Sequence, residues 1–263
     1  MAQSEISKRE KGRALITVAN NVAGFNLWKR LVEEGYDVDA ILPSEDKYNL
    51  LLSELVSRKN KKYDFIVNTV DRHDYAVVTN KMLKWLYPTE KIIFISSDLV
   101  YEPRPGKKKE NDNAYPPTME GKYFLEAESA LDVNSDLVLR VGLVTGRCVP
   151  NILTNTINLS RANMSIDLSG AVVRNFISNA DLSEYIIRLL DKNGIYNASA
   201  KSMTPRDFAL ELCAKINVNC KLRRTTDDKV FDYSMDTTKI ELTTGYYTKD
   251  IFANISSGLY LLG

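Results

Sequence analysis

Apolar residues follow two alternating patterns along this chain. Ala14-Leu15-Ile16, Phe65-Ile66-Val67, Ile92-Ile93-Phe94-Ile95 and Leu137-Val138-Leu139 are short, nearly uninterrupted runs, the mark of strands covered on both faces in a parallel sheet. Between them Leu27, Leu31 and Val32, then Leu51, Leu52 and Leu55, then Met82, Leu83 and Leu86 recur at three- and four-residue spacing, which predicts helices with one inward stripe. Tyr36–Leu42 reads as a second strand closed by Pro43-Ser44, and Gly194-Ile195-Tyr196-Asn197 as a last one. Thr204-Pro205-Arg206-Asp207 opens a helix with a cap, a first-turn proline and a capping-box acid. A final helix is expected from about Thr248, with Ile251, Phe252, Ile255 and Leu259 on its stripe. Strands alternating with helices predict an α/β fold.

Composition narrows the functional classes. The chain has 263 residues, 44% of them hydrophobic, enough for one large α/β core with or without a small appendage. A net charge of +1 gives no argument for nucleic acid or an acidic membrane surface. One histidine, His73, speaks against a His-based metal site. Cys148, Cys213 and Cys220 lack ligand spacing, so no metal site is expected and reduced thiols in the cytoplasm are. No run is long enough to span a bilayer, and residues 1–13 read as a polar, flexible arm.

Candidate chemistry begins at Thr17-Val18-Ala19-Asn20-Asn21-Val22-Ala23-Gly24. A strand, a tight turn and a helix in succession can aim backbone N–H groups at a pyrophosphate. The stretch resembles the T-G-A-x-G-F-x-G turn of the extended short-chain dehydrogenase/reductase superfamily, with two of its three glycines replaced. Val18 stands where a residue without a Cβ makes the turn, and Asn21 where the backbone meets the pyrophosphate. Gly24 keeps the place where helix and strand pack closely. Leu42 and Pro43 occupy the strand end that selects the adenosine ribose in that family, and their side chains offer a ribose no hydrogen-bond acceptor.

Further landmarks carry the same resemblance. Ser96-Ser97-Asp98-Leu99-Val100-Tyr101 resembles the S-[ST]-D-x-V-[FY] signature of dTDP-4-dehydrorhamnose reductases and of NAD-dependent epimerases. The match implies that Ser97 is a hydroxyl for a substrate carbonyl or alcohol. Leu139-Arg140, Arg174-Asn175-Phe176-Ile177 and Gly194-Ile195-Tyr196-Asn197 match later landmarks in order. Glu102–Asn113, with Lys107-Lys108-Lys109 at its tip, reads as a solvated loop. In Thr118-Met119-Glu120-Gly121-Lys122-Tyr123-Phe124-Leu125-Glu126, Lys122 and Glu126 align with the family's Tyr-x-x-x-Lys and its following acid. Thr118 then takes the tyrosine's place, and a threonine hydroxyl is too weak an acid to replace a phenol.

The resemblance implies a doubly wound parallel sheet of the Rossmann-like, NAD(P)-binding type with a small C-terminal substrate-side lobe. Residues 14–150 would form the Rossmann-like part, and 151–263 the rest of the sheet plus the lobe. Correlated loss at Val18, Asn21 and Thr118 favours a non-catalytic relative of sugar-nucleotide reductases and epimerases. Such a relative would serve as a binding, regulatory or structural subunit with a protein partner or in a homo-oligomer. The alternative is an active NAD- or NADP-dependent nucleotide-sugar reductase or epimerase that uses Ser97 and Lys122. An RNA-binding derivative has less behind it, because the basic residues lie in scattered clusters with no interleaved aromatic platform.

Overall fold

The computed structural model describes residues 11–43, 48–146, 149–223 and 230–252. Strand β1 (Arg13–Ile16) leads through α1 (Val22–Glu34) to β2 (Asp37–Ala40), and α2 (Tyr48–Ser57) returns to β3 (Phe65–Asn68). Then come α3 (His73–Leu86), β4 (Lys91–Ser97) with a 3-10 turn at Asp98–Val100, α4 (Met119–Ser129) and β5 (Leu137–Val141). The later elements are β6 (Leu143–Thr145), α5 (Ile152–Arg161), β7 (Val172–Ser178), α6 (Asn179–Arg188), β8 (Gly194–Ala198), β9 (Lys201–Met203), α7 (Pro205–Lys215), β10 (Phe231–Asp232) and α8 (Thr238–Thr244).

Six strands pair in the order β2-β1-β3-β4-β5-β8, every pair parallel. This is the Rossmann-like α/β arrangement, and the apolar runs account for it: Leu15, Ile66, Ile92, Phe94 and Val138 feed one face, while Ala14, Ile16, Val67, Ile93, Leu137 and Leu139 feed the other. Successive strand residues point to opposite faces, so a strand buried on both sides must be apolar throughout. Helices α1 and α6 cover one face, through Leu27, Leu31, Leu182 and Ile186. Helices α2, α3 and α4 cover the other, through Leu51, Leu55, Leu83 and Phe124.

A second sheet runs β10-β7-β6, with β9 antiparallel to β7. The chain leaves the first sheet for the second at Gly142, where a Cβ would stand 2.1 Å from the Asn175 carbonyl oxygen. No other residue fits a backbone approach that close. A third apolar cluster lies there, built from Leu153, Ile157, Phe176, Phe208, Leu212 and Phe252.

The expected strand Tyr36–Leu42 is shorter, because β2 is an edge strand that ends where Ile41 and Pro43 turn to bond the β1 loop. Thr204 caps α7 through the Asp207 amide at 3.0 Å, with Pro205 behind it as expected. From Thr248 the described chain is irregular and then a turn, with Ile251 and Phe252 buried; Ile255 and Leu259 lie outside the described residues, as do most of the expected arm and Cys148. The loop holding Lys107-Lys108-Lys109 is not simply solvated. Lys108 is 1% exposed; its ammonium donates to the carbonyls of Arg104 and Asp232, and its own carbonyl accepts from Asn197 and Asp236. No helix of the described residues is long and apolar enough to cross a membrane.

Candidate functional site

The crevice of a doubly wound sheet opens at the carboxyl ends of its strands, and here the ends of β1 and β3 are stitched together. Val18 is buried at 2% exposure. The Thr69 hydroxyl accepts from the Val18 amide at 3.1 Å and donates to the Val18 carbonyl at 2.7 Å. Thr17 donates to Asn68 at 2.9 Å, Asn68 to Asn80 at 2.7 Å, and Asn80 to the Ala127 carbonyl at 2.9 Å. Buried polar groups must be paired, and this chain of partners ties β1 and β3 to α3 and α4. No residue from Thr17 to Ala23 has a positive φ, so the turn accommodates Val18 by taking a backbone that needs no glycine.

Asn21 is the N-cap of α1. Its Oδ1 accepts from the Gly24 amide at 2.8 Å and its Nδ2 donates to the Thr69 carbonyl at 2.5 Å. Donors at a helix N-terminus are what would bind a pyrophosphate, and the chain's own side chain engages one of them. Asn20 likewise donates to the Pro43 carbonyl at 2.7 Å, closing the β1 loop against the end of β2. One donor of the α1 N-terminus is thus taken by the chain's own side chain, while Asn21, Val22 and Ala23 line the same cleft as Ser97. Gly24 keeps its packing role, for a Cβ there would lie 2.0 Å from the Val18 carbonyl oxygen.

At the end of β4, Ser97 is 7% exposed and its hydroxyl accepts from the Leu99 amide at 3.2 Å, capping the 3-10 turn. Asp98 is fully buried. It receives Arg174 on both oxygens, the shortest contact being 2.6 Å, and accepts from the backbone and side chain of Asn175 at 3.2 and 2.9 Å. Burial opposes the Arg174 charge, but Asp98 outweighs it and holds the guanidinium above its ordinary range.

Helix α4 is not set as the sequence alignment expects. Thr118 lies outside the helix as its N-cap, accepting from the Gly121 amide at 3.1 Å. A Cβ on Gly121 would lie 2.1 Å from the Leu99 carbonyl oxygen, so the helix rests directly on the 3-10 turn. Its inward stripe is Gly121, Phe124, Ala127 and Glu128. Glu128 accepts from Ser96 at 2.5 Å and grips Arg140 with both oxygens, at 2.6 and 3.0 Å. Burial works against the Arg140 charge, yet the hydrogen bonds and charge of Glu128 raise it above the usual guanidinium range.

A cleft of about 300 Å³ results, lined by Ser97, Glu120, Phe124, Asn151 and Arg174 with apolar residues such as Ile95 and Val141. That volume is at the small end for ligand sites. Glu120 and Phe124, spaced i and i+4, face it. Lys122 does not. Two residues along a helix amount to about 200° of rotation, and Lys122 is exposed on the far side, in a separate depression with Tyr115, Pro117 and Glu126. Ser97 and Lys122 are thus not brought together, nor do Thr118 and Lys122 form a pair facing the cleft. The spacing that puts two residues in the cleft and a third, acidic one on Arg140 is met by Glu120, Phe124 and Glu128, two positions on from Thr118, Lys122 and Glu126. No tyrosine and no lysine is among the described residues lining the cleft.

Sequence reasoning missed Glu120, Phe124 and Arg174. One signal was available: Thr118 follows two prolines and precedes an acid two positions on, which is how a helix begins. That reading makes Thr118 a cap and moves the cleft-facing pair to Glu120 and Phe124.

No family model matches the sequence, and no curated protein matches it. Solved structures do. A dTDP-4-dehydrorhamnose reductase ortholog from Clostridium acetobutylicum has a TM-score of 0.80 at 21% identity, over 95% of this chain and 99% of that one. The dTDP-4-dehydrorhamnose reductase of Bacillus anthracis, solved with NADP, scores 0.75 at 17% identity over 91% and 95%. The Bordetella bronchiseptica enzyme WbmG, solved with NAD and UDP, scores 0.73 at 16% over 97% and 95%. This chain has their fold.

Proposed function

We propose that this chain is a non-catalytic protein on the scaffold of the nucleotide-sugar reductases and epimerases, acting as a binding, regulatory or structural subunit. The observation that supports this reading is the setting of α4, which turns Glu120 and Phe124 toward the cleft. Proton transfer to a carbonyl in such a site needs a phenol whose acidity a neighbouring ammonium raises. A carboxylate and a phenyl ring supply neither half of that arrangement. The Asn21 cap and the Thr69 clamp point the same way, since both use backbone groups that a coenzyme would need.

A protein partner or a second copy of the chain is the ligand class this reading implies. Phe25, Trp28 and Val32, 37%, 40% and 48% exposed, give α1 an apolar outer face at i, i+3 and i+7. Small nucleotides remain candidates for the 300 Å³ cleft.

One observation favours the active reading. Ser97 and Glu120 both line the cleft, so a hydroxyl and a carboxyl group are available there to a reductase or epimerase using NAD or NADP. Titration with NADPH and NADH, followed by nicotinamide fluorescence, separates the two. The non-catalytic reading expects no tight saturable binding and no oxidation when nucleotide sugars are added. Tight binding with substrate-dependent oxidation would establish the active one.

A further inference from the structure

The two edges of the six-stranded sheet are finished differently. At β8 the outward-facing backbone groups are taken by side chains: the Asn197 amide donates to Glu110 at 2.9 Å, and the Ile195 carbonyl accepts from Lys239 at 2.6 Å. At β2 the amides of Asp37 and Ile41 donate inward, to the carbonyls of Gly12 and Ile16, at 2.9 and 3.0 Å. Val38 and Ala40, one residue out of phase, turn their N–H and C=O groups away from β1, and β1 is the only strand that β2 pairs with among the described residues. An open strand edge is a template for another strand. Apolar surface lies over this one. Helix α1 meets α6 on one flank, where Asn26 donates to Asn179 and Ser183 at 3.2 and 2.9 Å and Arg30 reaches Glu184 at 3.3 Å. Its other flank carries the exposed Phe25, Trp28 and Val32, with the rings of Phe25 and Trp28 6.4 Å apart. Leu42, just past the end of β2, is 68% exposed.

We propose that a second copy of the chain docks on this edge about a twofold axis, β2 against β2 and α1 against α1. This gives the homo-oligomer of the non-catalytic reading a definite surface, and it rests on that reading. With Asp39 on the axis, Val38 stands opposite the partner's Ala40, and the two exchange N–H···O bonds as an antiparallel pair does. A crossover helix lies over the strands it joins, so the two α1 helices stand about two strand spacings apart, about 10 Å, which is the distance at which helices pack. The twofold runs them antiparallel, with Trp28 near the axis and Phe25 toward the partner's Val32, because 25 and 32 lie equally far from the middle of the stripe. A lone extended peptide would cover the strand edge and leave these helix residues in water; a second copy covers both.

The acids of β2 bring no unmatched charge to the axis. Asp37 and Asp39 lie on the face away from α1, with Arg13 at 3.1 and 3.6 Å, and Asp39 also accepts from Lys61 and Tyr63 at 2.9 and 2.7 Å. Large aromatic side chains carry about 150–250 Å² each, so at their exposures Phe25, Trp28, Val32 and Leu42 offer roughly 350 Å² of apolar surface per copy. Interfaces are about 57% apolar, which scales this to about 600 Å² per copy, the lower end for a stable complex. The dimer is therefore weak and reversible, forming at micromolar concentrations.

The test is sedimentation equilibrium of the full chain from about 1 to 200 μM, where a reversible monomer–dimer equilibrium is expected. The chain has two tryptophans, so Trp85→Phe leaves Trp28 as the reporter, and its emission should move to shorter wavelength in step with the dimer fraction. Trp28→Glu, at an exposed position, and Ala40→Pro, which removes an outward N–H and leaves the ladder to β1, should each raise the dissociation constant about tenfold or more, with circular dichroism unchanged. A monomer at every concentration, a dimer that Trp28→Glu leaves intact, or association without a shift in Trp28 emission would each overturn the proposal. None of these outcomes involves nicotinamide turnover, which tests the non-catalytic reading separately.

Discussion

Glu128 and Arg140 meet in a buried two-pronged ion pair, Nη2 to Oε2 at 2.6 Å and Nε to Oε1 at 3.0 Å. The contact sets the rotation of α4, because a helix with Glu128 turned inward must carry Phe124 inward too and place Glu120 at the cleft rim. Removing one partner of a buried pair strands the other charge, at a cost of about 3–5 kcal/mol. Glu128→Gln should therefore lower the unfolding free energy obtained from urea denaturation by that amount. A loss under about 1 kcal/mol, the range of exposed pairs, would mean that the pair does not anchor the helix.

The register of α4 can be read from a phenol's acidity. In the double variant Glu120→Tyr with Phe124→Lys, phenol and ammonium share the cleft-facing side, and the new phenol should titrate below its ordinary value of about 10. In Thr118→Tyr the new phenol sits at the cap, away from the cleft, and should titrate near that value despite Lys122. Ultraviolet difference titration against the parent chain distinguishes the two, and a depressed phenol in Thr118→Tyr would contradict the described register.

Gly24→Ala tests the helix–strand contact at the first turn. Its Cβ would meet the Val18 carbonyl oxygen at 2.0 Å, and backbone on both sides leaves little room to yield. Overpacking of this kind costs about 1–3 kcal/mol, with chemical denaturation as the measurement. A neutral substitution would show that α1 can move off β1.

Alkaline pH should destabilise the fold. Burial raises Tyr63, Tyr87, Tyr101, Tyr185, Tyr233 and Tyr246 above the ordinary tyrosine value of 10.0. Below that value both states keep these protons and the stability is complete. Above it the unfolded chain releases protons that the folded chain retains, so stability is lost as pH rises toward the folded values. Lys91 and Lys108, lowered by burial from 10.5, act in the opposite direction, but only up to that value. Urea midpoints should hold to about pH 9 and fall beyond about pH 10, with tyrosinate absorbance rising in step with unfolding.

Local patterns were legible in the sequence wherever local physics decides them. The apolar runs of β3, β4 and β5 could only be strands covered on both sides, and Gly24 marked a close approach that the structure contains. The Ser97-Asp98 stretch was legible as a landmark, but not its division of labour, in which Asp98 holds Arg174 from 76 positions away. The α4 register failed for a related reason. Thr118 to Glu126 and Glu120 to Glu128 offer the same spacing, and only the demand of buried Arg140 for a carboxylate chooses between them. Lys108 reads as solvated until the carbonyl of Asp232, 124 positions on, is brought to its ammonium.

The central claim is that no Tyr–Lys pair faces the cleft among the described residues. Its most direct measurement is oxidation of NADPH and NADH by the purified chain in the presence of dTDP- and UDP-linked keto sugars, followed by nicotinamide absorbance. The account predicts no rate above the protein-free control, and the same result for Lys122→Ala. Turnover at an ordinary enzymatic rate of about 1–1000 per second, abolished by Lys122→Ala, would contradict it.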